Sequence, residues 1–115
     1  MKKHLFILVC IALPMVMGCS WSTWGVEYRV SGSGKSFDVT IKSDTGKTSQ
    51  FDDISSGWTY NFSTEDPNHF LYISAQNQDS SGSVTTEIYV YGDQKKVSTS
   101  NGAYAIAICS MSVSE

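Results

Sequence analysis

Histidine, cysteine and basic charge are all scarce in this chain. Its 115 residues include two histidines, three cysteines and eight basic side chains, and charged residues of both signs make up only 17%. A chain this short builds one domain, which excludes a multidomain enzyme. The scarcity of histidine excludes a zinc site built on imidazole, because such sites need three or four ligands and only His69 lies beyond the first few residues. Basic charge is also unevenly spread: Lys2 and Lys3 precede an apolar run from Leu5 to Met17 that contains no charge. From residue 19 to residue 115 six basic groups face eleven acidic ones, a net charge of −5. That sign disfavours nucleic acid, whose phosphates need a basic face, and it disfavours electrostatic attraction to anionic lipid head groups.

The apolar run is too short to cross a membrane. Its 13 residues, at ~1.5 Å each in a helix, reach about 20 Å against a hydrocarbon core of roughly 30 Å. A cationic start, an apolar stretch and Gly18 before Cys19 have instead the layout of a secretory signal peptide over residues 1–18. No A-x-A-like tripeptide comes after the run. It closes instead on Val16-Met17-Gly18-Cys19, which resembles the lipobox of bacterial lipoproteins, with Met17 where a small or branched residue is more usual. By that resemblance the bond before Cys19 is cut, its thiol receives a diacylglyceryl group and its new amino terminus is acylated. Two or three chains, at about 0.8 kcal/mol per buried CH₂, anchor stably where one would not. The expected partner is therefore a membrane, held through a covalent lipid at Cys19. The expected location is the bacterial cell envelope, and Ser20 in place of an aspartate favours the outer membrane. Residues 19–25 then form a lipidated tether of at most about 25 Å. It carries Trp21 and Trp24, which either sit at the membrane interface or pack on the first strand. Cys10 leaves with the leader and Cys19 carries lipid, so Cys109 has no intramolecular disulfide partner. Among the apolar residues 103–109 it is expected to be a buried, inert thiol.

From Val26 onward apolar residues recur with period two and no helical stripe of ten residues occurs, so residues 26–115 are expected to be all-β. Val26, Tyr28 and Val30 alternate with polar residues, as do Phe37, Val39 and Ile41 after the Gly32-Ser33-Gly34 break. Asp44-Thr45-Gly46-Lys47 supplies a turn with glycine where positive φ is needed, and Thr48 to Ile54 returns from it. Trp58, Tyr60 and Phe62 share a face, then Leu71, Ile73 and Ala75, then Val84, Thr86, Ile88 and Val90, with Glu87 facing the other way. A turn at Tyr91-Gly92-Asp93-Gln94 leads into Lys95 to Ser100, a short polar strand whose paired lysines mark a protected edge. The last strand runs from Ala103 to Cys109. Seven to eight short antiparallel strands spaced in this way predict an immunoglobulin-like β-sandwich.

Several motifs imitate chemistry. Gly32-Ser33-Gly34-Lys35-Ser36 resembles the end of a phosphate-binding loop, but Arg29 stands where the first glycine should be and a strand comes next, so a glycine-rich hairpin is expected. Asp44-Thr45-Gly46 matches one aspartic-protease triplet, and that chemistry needs two carboxylates sharing a proton. Asp52-Asp53 and Glu65-Asp66 lack the ligand spacing of a calcium loop and read as solvated turns. Asn61-Phe62-Ser63 is a glycosylation sequon, which usually means nothing in bacteria. No metal, cofactor or catalytic set is expected. The remaining signal is aromatic: Tyr60, Tyr72, Tyr89, Tyr91 and Tyr104 include candidates for a ligand platform, with Tyr89 and Tyr91 the chosen pair.

Three segments carry a family likeness. Leu71 to Asn77 (LYISAQN), Gly82 to Val90 (GSVTTEIYV) and Ser100 to Tyr104 (SNGAY) resemble small bacterial β-domain lipoproteins of unassigned role, which are similar in turn to the mycobacterial MmpS proteins. The likeness covers about 80 residues and rests on turn glycines and core positions. It implies an extracytoplasmic module that supports a transport complex, as MmpS proteins do for RND-type exporters. Two departures stand out: a cleaved, lipidated start replaces a transmembrane helix, and the cysteine that would pair with Cys109, near Glu87, is missing. The sequence therefore predicts a non-enzymatic, lipid-anchored envelope module with a protein partner. The alternative is a surface module that binds glycan or another extracellular ligand through exposed tyrosines.

Overall fold

Alternating β-branched and aromatic residues suit a pleated surface buried on one face, and each such run becomes a strand. The computed structural model describes residues 23–115 and shows eight strands: β1 (Trp24–Ser31), β2 (Phe37–Lys42), β3 (Thr48–Ile54), β4 (Trp58–Thr64), β5 (Phe70–Asn77), β6 (Ser83–Val90), β7 (Asp93–Asn101) and β8 (Ile106–Ser112). There is no helix among the described residues. The leader, Cys19, Ser20 and Trp21 lie outside them.

Two four-stranded antiparallel sheets, in the orders β4-β1-β6-β7 and β3-β2-β5-β8, pack face to face as a β-sandwich. β1 pairs with β4 in one sheet while β2 pairs with β5 in the other. These are the interlocked B–E and C–F neighbours of an immunoglobulin-like sandwich, and the β6–β7 hairpin flanks β1 where strand A would lie. Two hairpin turns form where turn chemistry predicts them. The β2–β3 turn has Gly46 at φ +81° and closes through Gly46 N–H donating to the Ser43 carbonyl. Tyr91 and Gly92 link β6 to β7 with φ of +57° and +81°, the left-handed pair of a type I′ turn.

The segment Gly32–Ser36 is not a hairpin. It carries the chain from one sheet to the other, because β1 and β2 never pair. Gly32, at φ +153°, lets this arch pass against β6: a Cβ built there would meet the Ser83 carbonyl oxygen at 2.1 Å. Ser33 and Ser83 then close the approach reciprocally, each backbone N–H donating to the other's hydroxyl oxygen at 3.3 and 2.9 Å.

The inward faces of the central strands form the core: Val26, Tyr28, Val30, Phe37, Val39, Ile41, Leu71, Ile73, Ala75, Val84, Ile88 and Val90 are all buried. Burying each large side chain contributes roughly 1.5–3 kcal/mol. Tyr28 is wholly enclosed, so its hydroxyl must find partners. It donates to the Lys42 carbonyl at 2.8 Å and accepts from Tyr72 N–H at 3.2 Å. Lys42 and Tyr72 are the next rung beyond the Ile41–Ile73 pair, so a side chain of one sheet completes the ladder of the other. Burial pushes this phenol well above its ordinary value of 10.0, and it stays neutral and able to donate.

The sandwich is wedge-shaped. On one side four inward positions, Ser98 and Ser100 of β7 and Ala107 and Cys109 of β8, are small, and these two strands approach closely, with Met111 buried farther along β8. On the other side β3 and β4 stand farther apart, with Phe51, Trp58, Tyr60 and Phe62 between them. Those rings pack on one another at centroid distances of 5.2 to 6.1 Å, and Phe62 reaches His69.

Candidate functional site

The strand ends divide the molecule into two poles. At the first pole lie the start of β1, the 43–47 turn, the 65–69 loop, the Tyr91–Gly92 turn and the end of β8. The chain enters the fold here. β1 begins at Trp24, two residues earlier than the Val26 start expected from periodicity, because Trp24 pairs with Thr64 and stacks on Tyr91 at 5.5 Å between centroids. Trp24 therefore packs within the domain, and the Tyr91 hydroxyl donates to the Thr23 carbonyl at 2.8 Å. An open hollow at this pole is lined by Lys42, Asp44, Thr64, Asp66, His69 and Phe70 among others.

Tyr89 has a different setting. It projects from the outer face of its sheet, with the Arg29 guanidinium 4.0 Å above its ring and its hydroxyl donating to Glu87. That hydrogen bond to Glu87 is the main cause raising its phenol pKa. Arg29 also donates to Glu27 at 2.8 Å, and Gln94 donates to Glu87 at 3.1 Å. Tyr89 is thus engaged by Arg29 and Glu87, and Tyr91 by Trp24 and Thr23. The two rings have separate partners and separate surroundings. Tyr60 belongs to the aromatic wedge.

The residues with intrinsic reactivity are also occupied. His69 Nε2 donates to the Ser43 carbonyl at 2.9 Å. Cys109 is buried in β8, where its thiol donates to the Thr86 carbonyl at 3.3 Å and the Thr86 hydroxyl lies 3.3 Å from the sulfur. Burial pushes this thiol up, so it stays protonated and unreactive near neutral pH. The residue facing Cys109 across the sheets is Thr86, the neighbour of Glu87. Glu87 points outward. Strand parity in β6 already carried this signal, since Thr86 falls in the buried series Val84, Ile88, Val90. Thr86→Cys is accordingly expected to form an inter-sheet disulfide with Cys109, stabilising the fold by about 3 kcal/mol. The check is a loss of both free thiols under denaturing conditions, with a higher melting temperature that falls on reduction.

The carboxylates serve local structure. Asp38 accepts from Asp53 N–H at 3.0 Å beside the bulge in β2–β3 pairing, and Asp66 accepts from Asn68 N–H at 2.9 Å within its loop. No group of three or more histidine, cysteine or acidic side chains is placed to hold a metal among the described residues.

The second pole gathers the loops 32–36, 55–57, 78–82 and 102–105, rich in serine and glycine, with charge only at Lys35 and Asp79. Asn77 organises it. This buried side chain donates to the Ser81 and Gly102 carbonyls at 2.9 and 3.1 Å and accepts from Asp79 N–H at 3.0 Å. Its backbone N–H donates to the Ala105 carbonyl. On this scaffold stands Tyr104, 55% exposed and at φ +55°, with its N–H donating to the Asp79 carbonyl and its carbonyl accepting from Gln76 Nε2. Ile106 and Ile108 come next on the outer side of β8 and are similarly exposed. Sequence reasoning placed Ile106 and Ile108 in an apolar final strand without identifying them as a surface. In comparisons with known proteins, the chain matches no protein-family model and none of the curated proteins.

Proposed function

We propose that this protein is an envelope lipoprotein, anchored by acyl chains on Cys19, whose β-sandwich is a non-enzymatic interaction module. The observation that carries the reading is Val16-Met17-Gly18-Cys19 at the end of an uncharged apolar run, a few residues before the fold begins at Trp24. Two structural features support it. The chain enters the sandwich at one pole, so a short tether brings that pole to the bilayer and turns the serine- and glycine-rich loops away from it. His69 and Cys109, the side chains best suited to general-base or nucleophilic work, are spent on the Ser43 and Thr86 carbonyls. Cys109 faces Thr86 in the core, beside the position near Glu87 where the resemblance to MmpS proteins implies a partner cysteine, and that resemblance implies an accessory role beside a transport complex.

The anchor is tested by fractionation. The wild-type protein is expected in the membrane fraction and labelled by tritiated palmitate, and Cys19→Ser is expected to abolish the label and move the protein to the soluble fraction. A Cys19→Ser protein that remains membrane-bound would overturn the assignment.

A further inference from the structure

We infer that Tyr91 is a clasp on the chain entry: it holds the first residues of the fold so that the tether leaves the sandwich in one direction, and this sets how the domain stands on its anchor. The inference deepens the proposed function and rests on its lipid anchor for the bilayer, while the grip itself lies within the described residues.

Tyr91 is strained where it stands. It is the first of the two residues that link β6 to β7, at φ +57°, a position that asparagine, aspartate or glycine fills readily and that tyrosine seldom enters. Strain of this kind persists where the surrounding structure holds the side chain to a task. Three contacts of Tyr91 fall on three consecutive residues of the chain entry. Its hydroxyl donates to the Thr23 carbonyl at 2.8 Å, its ring stacks on Trp24 with centroids 5.5 Å apart and planes 28° from parallel, and its backbone N–H donates to the Gly25 carbonyl at 2.9 Å. Asparagine at this position would relieve the strain and keep the backbone bond, but it would lose the other two contacts.

The strand register shows what the grip supplies. β1 pairs with β4 from Trp24 onward, Trp24 facing Thr64, whereas its pairing with β6 begins only at Val26, which faces Val90. Residues 23–25 therefore have a strand on one side alone, and a chain end held on one side frays. Tyr91, the residue after Val90, closes the other side. With Thr23 held, the free tether is residues 19–22, which reach at most about 14 Å. β1 carries the chain about 23 Å from the entry toward the far pole. Were the entry to open as far as Val26, the tether would lengthen to seven residues and about 25 Å, more than the strand itself. A tether of that length lets the sandwich turn over on its anchor; the short one, leaving from a fixed carbonyl, restricts it.

Two measurements test the grip and its consequence separately. In the full-length Cys19→Ser chain, amide hydrogen exchange at residues 24–26 reads the clasp without lipid. Tyr91→Asn is expected to speed this exchange about tenfold, and Tyr91→Phe, which keeps the stack and loses the bond to Thr23, about threefold. Exchange at Leu71 and Ile73, buried in the core, is expected to stay unchanged in both. Unchanged exchange at residues 24–26 in Tyr91→Asn would overturn the clasp, and so would equal acceleration at Leu71 and Ile73, which would mean a general loss of stability. The second measurement uses the lipidated chain on phosphatidylcholine vesicles, with a fluorophore on Ser55→Cys, an exposed position at the far pole, and an acceptor dye in the head groups. Cys109 is buried, so the new thiol takes the label. With Tyr91 in place one narrow distribution of distances is expected, and with Tyr91→Asn a broad one that extends to shorter distances. The same distribution from both would overturn the orienting role. A chain that fails to bind the vesicles would overturn the anchor, and hydrogen exchange would still decide the clasp.

Discussion

Replacing Asn77 with leucine is expected to cost on the order of 4 kcal/mol of folding stability, a large share of the ~5–15 kcal/mol available to a domain of this size. The substitution keeps the volume but strands the Ser81 and Gly102 carbonyls and the Asp79 N–H, three groups that Asn77 satisfies inside the fold. Each lost partner costs about 1–3 kcal/mol where water cannot replace it. A thermal melt of the Cys19→Ser background should therefore show a midpoint lower by roughly 15–30 °C. A fall of only a few degrees would mean that the four loops of the far pole hold themselves together without this residue.

Gly32→Ala is expected to be comparably severe. The new methyl would lie 2.1 Å from the Ser83 carbonyl oxygen, a backbone atom fixed at the start of β6, on a residue whose φ of +153° disfavours any side chain. Overpacking and backbone strain together cost about 3–5 kcal/mol. Gly25→Ala is the matched control, since nothing lies within 4 Å of its added carbon and its φ is ordinary. Urea midpoints separate the two: a large shift for Gly32→Ala beside a small one for Gly25→Ala is expected, and equal shifts would show that close packing of the arch is unimportant.

These two residues mark the boundary of what a reader of the sequence can see. The strands were legible because burial on one face writes period two into Val26-Tyr28-Val30, Phe37-Val39-Ile41 and Val84-Thr86-Ile88-Val90, and no other element has that period. Hairpins at Asp44–Lys47 and Tyr91–Gly92 were legible from turn chemistry. The arch at Gly32–Ser36 was not, because glycine and serine serve a hairpin and an inter-sheet crossing equally well. Only the pairing of β1 with β4 and β6 decides between them, and those partners lie far along the chain. Trp24 entered β1 for a similar reason: its stacking partner is Tyr91, 67 residues away. Nothing in the sequence marks Asn77, because only the fold brings the Gly102 carbonyl, 25 residues further on, to its amide beside the nearby Ser81 carbonyl.

The proposed anchor and the exposed surface show the same division. The proposed lipid attachment rests on a local signal, because a signal peptidase reads a short linear motif. The exposed apolar stripe at Tyr104, Ile106 and Ile108 is not readable locally, since exposure depends on which strand becomes an edge. Tyr89 and Tyr91 are the pair the sequence offers, two rings close together at the end of a strong strand, and the fold sets Tyr89 against Arg29 and Glu87 and Tyr91 against Trp24 and Thr23. Tyr104, further along, is the ring that the far pole presents to solvent.

The proposed anchored module joins a leader that ends at Gly18, a lipid on Cys19 and a sandwich entered at one pole. Intact-mass spectrometry of the protein extracted from membranes tests it most directly. The predicted species begins at Cys19 and is heavier than residues 19–115 by a diacylglyceryl group, with a further acyl chain where the amino terminus is modified. A mature chain starting elsewhere, or one that carries an unmodified Cys19, would contradict it.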